Sequence, residues 1–207
     1  MKNQKTPIII AVVVVLLLLL AIPTCSSYNG MVTKSEEADQ AWGEVQNQYQ
    51  RRFDLIPNLV ATVKGYAAHE QNTLQGVTNA RVGMPSDSAM MAAYNEAMAS
   101  RSTDPANAHY AQAQQELQRQ MSIYVNAVHE AYPDLKASKN FEDLQYELSG
   151  TENRVEKARH DYTEAVKDYN LKVKRFPGSI VASLFGFDAK PQFEAEQQAQ
   201  SAPKVEF

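Results

Sequence analysis

Two groups of residues in this chain have types and spacings that could do chemistry. His69 and Glu70 open the pattern HExxH, in which two histidines one helical turn apart bind zinc and the glutamate acts as base. The second histidine would fall at position 73, which is Thr73, so this motif cannot hold a catalytic zinc. Glu147, Glu152 and Glu156, interleaved with Arg154, Lys157 and Arg159, supply carboxylates of the kind found in di-metal helical bundles. Those sites require Glu-x-x-His pairs on two helices, and His160 comes one place too late after Glu156. The charges read instead as a solvated face with pairs one turn apart. His109, His129 and His160 are each isolated in sequence and read as solvated helix histidines, since ligation needs a cluster. No phosphate-cradling glycine loop and no GxSxG occurs, and Cys25 has no histidine near it to activate a thiolate. The expectation is a protein with no catalytic residues, no cofactor and no metal, and not an enzyme.

The most informative segment is RRFDLIPNLVATVKGYAAHE, residues 51–70. Its Arg51, Arg52, Asp54, Pro57, Asn58, Lys64, Tyr66, His69 and Glu70 are the candidate partner-binding or structural motif. A proline in a helix interior removes one N–H, clashes with the preceding turn and costs about 3 kcal/mol. Either Asp54 caps a fresh helix with Pro57 in its first turn, or one helix runs through with a proline kink. The apolar positions Tyr49, Phe53, Ile56, Val60 and Val63 keep phase across the proline, which favours the continuous helix. Asn58 is then expected to satisfy a backbone carbonyl freed by the missing N–H. Arg51, Arg52 and Asp54 are expected to form an ion-pair cluster near the bend.

The elements that must carry this motif are helices. Apolar residues step by three and four from Ala38 and Trp42 through Val45 to Ala67, Leu74 and Val77, with a stop near Gly83–Ser86. Asp87-Ser88 opens a short helix with Met90, Met91, Tyr94, Ala97 and Met98. Ser102–Pro105 breaks it and supplies the next cap. A second long helix carries Tyr110, Ala113, Leu117, Met121, Tyr124 and Val128 and ends at Tyr132-Pro133. A third starts at Asn140, with Asp143 as its capping-box partner. It holds a heptad-like step from Leu144, Leu148 and Thr151 through Tyr162 and Tyr169 to Phe176. The apolar piece Ile180–Phe187 is too short to span a membrane and is expected to close the bundle end. Tyr110, Tyr124, Tyr162 and Tyr169 lie on core stripes, with their hydroxyls at the core edge.

The first 30 residues give an address. Residues 1–6 form a short basic start, and an apolar run from Ile8 to Ile22 lies within a transmembrane, signal-like segment over residues 7–28. An uncleaved anchor, a lipoprotein acylated at Cys25 and a cleaved signal are the alternatives. Lys2 and Lys5 before the run place the N-terminus inside and the body in the periplasm or exterior. Lysine and arginine total 20 against 24 acids, net −4, without the basic stripe of a nucleic-acid binder. The fold class expected is all-α: an N-terminal transmembrane helix, then an elongated up-down bundle of three to four helices over residues 29–189. A mobile tail over 190–207 completes the chain.

Tyr28-Asn29, Ala41-Trp42 with Val45, the 51–70 segment and Ala80-Arg81 together resemble the LemA family of bacterial membrane-associated proteins. YPDLKASKNFEDLQYELSGTENRVEKARHDYTEAVKDYN, KRFPGSIVASLFGF and the PKVEF end agree with it. Phe53 departs from the family, standing where alanine is common. The resemblance implies an N-terminal membrane segment and an extended helical bundle, and brings no established activity. The function expected is a scaffold or adaptor of the bacterial cell envelope, binding the membrane and a protein partner or a second copy of itself. The alternative is a regulatory or sensory module for envelope stress or proteolysis, with a small-molecule ligand of unknown identity.

Overall fold

The computed structural model describes residues 5–73, 87–136 and 138–193, except for the side chains of 5–9, 13, 16–18, 20 and 70–73. The described residues are helical with no strand: α1 (Lys5–Thr73), α2 (Asp87–Ala99), α3 (Ala108–Ala131), α4 (Pro133–Lys136), α5 (Lys139–Lys174) and α6 (Gly178–Phe185). The expected stop at Gly83–Ser86, with Leu74 and Val77, lies outside the described residues. The single bundle expected over 29–189 divides into two compact units, residues 1–43 with 159–207 and residues 44–158. Helices α1 and α5 contribute to both.

Among the described residues no helix is long and apolar enough to cross a membrane. Part of the run Ile8–Ile22 falls outside them, and the part within carries Ile10, Val12, Val14, Val15, Leu19 and Ile22 exposed on α1. The expected transmembrane segment therefore rests on the sequence.

In the unit 44–158, α1 passes through Pro57 without a break, so the continuous helix prevails over a restart at Asp54. The reason is packing on both sides of the proline. Phe53, Ile56, Leu59 and Val60 are buried, while Pro57 and Asn58 face solvent, where the proline ring meets no core. Against this face α2 brings Met90, Ala93 and Ala97, and α3 brings Tyr110, Leu117, Met121, Tyr124 and Val128. Tyr49 meets Tyr110 edge-on at 5.8 Å, and Phe53 meets Tyr94 at 5.7 Å.

Two caps differ from expectation. Asp104 uses its side chain to accept the Ala106 N–H at 2.8 Å, and Asn107 caps α3 by accepting from Tyr110 N–H at 2.9 Å. Helical bonding in α5 begins two residues early, with Glu142 N–H on the Ser138 carbonyl, so Asn140 lies inside the helix. Tyr132 closes α3 as expected.

In the unit of residues 1–43 and 159–207, α1 and α5 enclose Met31, Ala38, Trp42, Tyr162, Val166, Tyr169 and Val173. Helix α6 adds Val181 and Ala182 to the cluster around Met31, Tyr169 and Val173, in keeping with the expected closing role. It ends on Gly186, whose φ of 74° is left-handed, with Phe187 N–H on the Ala182 carbonyl. Phe176 is not buried: α5 ends at Lys174, and the turn leaves that ring 81% exposed.

The segment expected to be mobile from Lys190 is bound at its start. The Tyr169 hydroxyl donates to the Asp188 carbonyl at 2.9 Å, and the Tyr162 hydroxyl to the Pro191 carbonyl at 3.0 Å. Asn170 both donates to the Lys190 carbonyl and accepts its N–H, each at 2.9 Å. Lys190 Nζ reaches Asp39 at 2.5 Å. Phe193 lies against Trp42 and Tyr162, with the Arg159 guanidinium 4.6 Å from its ring centre. Residues 194–207 lie outside the described residues.

Candidate functional site

Arg51 and Arg52 are neighbours on α1, so a helix points them about 100° apart and they serve different partners. Arg51 is exposed and donates to Glu147 on α5 at 2.8 Å, which holds the Glu147 carboxyl below the usual carboxylate range. Arg52 turns inward and is 1% exposed. Its Nη1 donates to both carboxylate oxygens of Glu152 at 3.2 and 3.3 Å. Its Nη2 donates to the side-chain oxygen of Gln114 on α3 and reaches the Gln114 carbonyl at 3.5 Å. The guanidinium also lies 5.2 Å from the centre of the Tyr49 ring, within cation–π range. Arg52 Nε and Gln114 Nε2 are buried without a hydrogen-bond partner among the described residues.

The arginines therefore do not form the expected cluster with Asp54. That carboxylate accepts from Gln50 at 2.7 Å, one turn earlier on α1, while the arginines are drawn across to α3 and α5. Asn58 does back-bond to a carbonyl, that of Asp54 at 3.3 Å. The carbonyl deprived of its N–H by Pro57 is that of Phe53, so the repair falls one residue from where it was expected. Lys64 lies 3.7 Å from Asp87, and Tyr66 meets Tyr132 edge-on at 5.8 Å. His69 is exposed on α1, and the side chain of Glu70 lies outside the described residues. Cys25 is an exposed free cysteine. Of the nine motif residues, Arg51, Arg52, Asp54, Asn58, Lys64 and Tyr66 thus make contacts within the unit 44–158.

A concave feature of this unit lies between α3 and α5. It is an open groove of about 680 Å³ whose lining includes the apolar Met121, Val125 and Leu148. Polar residues also line it, among them Asn126, His129, Glu142, Gln145 and Glu152. Tyr146, also in the lining, is 80% exposed. His129 is half-buried rather than solvated: its ring contacts the Gln145 amide and meets Phe141 edge-on at 6.0 Å. Glu152 belongs to both features, closing the groove wall in front and pairing with Arg52 behind.

Gln114 was not among the expected site residues, and Glu152, expected on a solvated face with pairs one turn apart, instead pairs with the buried Arg52 from across the unit. Gln114 carried one faint signal, its place four residues after Tyr110 on the buried side of α3, where it is 3% exposed. Glu152 carried none beyond its charge. Among the described residues, no group of three His, Cys, Asp or Glu side chains could hold a metal ion. The groove offers an apolar floor and a polar, partly acidic rim, which suits recognition of an amphipathic surface.

A family model described as "LemA family" matches residues 41–207. Magnetosome protein MamQ 2 and magnetosome protein MamQ 1 of Paramagnetospirillum magneticum are each 25% identical over 194 residues, covering 86% of this chain and 68% of the relative. Magnetosome protein MamQ of Magnetospirillum gryphiswaldense is 23% identical over the same share of each chain.

Proposed function

Because the chain belongs to the LemA family, we propose that it is a membrane-anchored adaptor of the bacterial cell envelope whose α3–α5 groove receives an amphipathic helix of a partner protein. The observation that carries this reading is the groove, with Met121, Val125 and Leu148 among polar residues of α3 and α5. A helix laid in such a groove buries apolar anchors one turn apart and leaves its polar face to the rim. Attachment to the membrane is supported by the run Ile8–Ile22, and by relatives whose names tie them to the magnetosome. Lys2 and Lys5 favour an inside N-terminus, with the helical body in the periplasm or exterior. Acylation at the exposed Cys25 is the alternative means of attachment. No enzymatic step belongs to this reading.

A photocrosslinking side chain at position 146, on the groove, is expected to give one discrete adduct in intact membranes. The same group at position 64, on the exposed face of α1, is expected to give none. Val125→Arg, placing a charge in the groove, should abolish the adduct while leaving helical content unchanged. Equal adducts from positions 146 and 64, or an adduct indifferent to Val125→Arg, would refute the groove as the docking site.

A second reading is favoured by the groove's size, since about 300–1,000 Å³ is the usual range for small-molecule sites. In that case the module senses a ligand for envelope stress or proteolysis. Saturable thermal stabilisation by a small-molecule fraction, lost in Val125→Arg, with no protein adduct from position 146, would favour it over the adaptor.

A further inference from the structure

Helix α6 has two faces, and among the described residues only one of them is packed. Gly178, Val181 and Ala182 turn into the unit formed by residues 1–43 and 159–207. Ile180 and Leu184, one turn apart on the opposite side, are 53% and 72% exposed, with Phe176 ahead of them at 81%. Phe185 and Phe187 hold α6 against α1 by edge-on contacts to Tyr28 at 5.0 and 5.4 Å. Three large apolar side chains are thus exposed, Ile180 and Leu184 on α6 and Phe176 on the turn before it.

The place where α6 is seated bears on what covers it. Tyr28 lies six residues past Ile22, the end of the apolar run, about 9 Å along a helix. The headgroup zone on each side of a bilayer is about 5–8 Å deep, and tyrosine is enriched there. The charge pattern points the same way. From 169 to 187 the chain carries Lys172, Lys174 and Arg175 and no acidic residue. Lys172 lies over α1 beside Gly30, where an added Cβ would sit 3.0 Å from its Nζ. An apolar face flanked by cations at headgroup depth is the composition of an interfacial helix.

We propose that the Phe176–Phe185 face is a membrane foot, lying in the headgroup layer of an anionic bilayer beside the point where α1 leaves it. Phe176, Ile180 and Leu184 enter the acyl boundary, and Lys172, Lys174 and Arg175 meet lipid phosphates. This inference rests on the membrane-anchored reading and adds a second contact to it.

The test uses the full chain in vesicles of equal parts phosphatidylcholine and phosphatidylglycerol carrying brominated acyl chains. The native tryptophan, Trp42, is buried 14 residues beyond Tyr28 and serves as the baseline. Leu184→Trp is expected to add a blue-shifted emission that brominated lipid quenches several-fold, with Trp42 in the parent chain unaffected. Replacing Lys172, Lys174 and Arg175 together with glutamate in that variant should remove most of the quenching. Flotation with the vesicles but no added quenching overturns the foot and leaves the anchor standing. A blue shift without quenching also overturns it, because a protein surface and not lipid would then cover the face. Failure to float overturns the anchor and the foot together.

Discussion

The guanidinium of Arg52, buried in the interior of the unit 44–158, is neutralised by one carboxylate, that of Glu152, at 3.2 Å. The two ends of this pair are not equivalent, since the glutamate side chain keeps 20% of its exposure and the arginine 1%. Removing the glutamate strands a buried cation, which typically costs about 3–5 kcal/mol. Removing the arginine leaves an acid that can turn into the groove. Glu152→Ala should therefore destabilise the protein more than Arg52→Met in denaturant unfolding. The reverse order would contradict the geometry. Arg51→Ala, which breaks only an exposed pair, should change stability less than either.

Pro57 is tolerated in α1 rather than required by its packing, because its ring faces solvent. Pro57→Ala restores the N–H that the Phe53 carbonyl lacks and should raise stability, by up to about 3 kcal/mol. Asn58→Ala removes one back-bond and should lower it by about 1 kcal/mol or less. Thermal unfolding of the two variants checks both signs. A destabilised Pro57→Ala would mean that the proline serves docking geometry.

Three tyrosines set an alkaline limit. Burial raises the Tyr124 phenol, further helped by its hydrogen bond to Asp87 at 2.7 Å. Burial likewise raises Tyr110, with Tyr49 adding to it, and Tyr169, with Asp188 adding to it. A raised phenol means the folded state keeps protons that the unfolded chain releases near the ordinary value of 10. Stability is then full below about pH 10 and falls as pH rises from there toward the folded-state values. In an ultraviolet titration, part of the chain's 10 tyrosines should ionise only as the protein unfolds. Reversible ionisation of all of them in the folded state would refute this.

Two glycines should respond in opposite directions. A Cβ on Gly178 would sit 2.3 Å from the Lys172 carbonyl and 3.0 Å from Met31 Cε, so Gly178→Ala must move backbone. It is expected to loosen α6 and raise proteolytic cleavage after Lys174 and Arg175. Gly65 lies in the α1 interior with nothing within 4 Å of an added Cβ. Gly65→Ala should stabilise by about 1 kcal/mol, the helix-propensity difference.

The helices were legible in the sequence because burial enforces a period. The steps through Val45, Tyr49, Phe53 and Ile56, and through Leu148, Thr151, Val155 and Tyr162, are among the buried residues of α1 and α5, although Leu144 and Ala165 on the expected seam are only half-buried. The choice between near-equivalent polar residues was less legible. Asp104 and Asn107 can each cap a helix, and the packing of Tyr110 on Tyr49 settles which one does. Partners distant in sequence were not legible at all. Arg52 meets Glu152 a hundred residues later, and nothing local to either marks the pair. The groove escaped for the same reason, since it exists only where α3 and α5 stand side by side.

Tyr162 and Tyr169 stand seven residues apart on α5, a rise of about 10.5 Å. The carbonyls they hold, those of Pro191 and Asp188, are three residues apart, about 10 Å of extended chain. Seven helical steps and three extended ones are commensurate, so both hydroxyls find an acceptor at once. Because the acceptors are backbone oxygens, this clasp is indifferent to which side chains occupy 188 and 191. It is strict about how many residues lie between them. One residue inserted or deleted at 189–190 would leave a tyrosine hydroxyl facing the wrong atom, whereas a substitution at 188 or 191 that keeps the backbone path would leave both bonds in place. The clasp thus measures the length of the segment rather than its side chains.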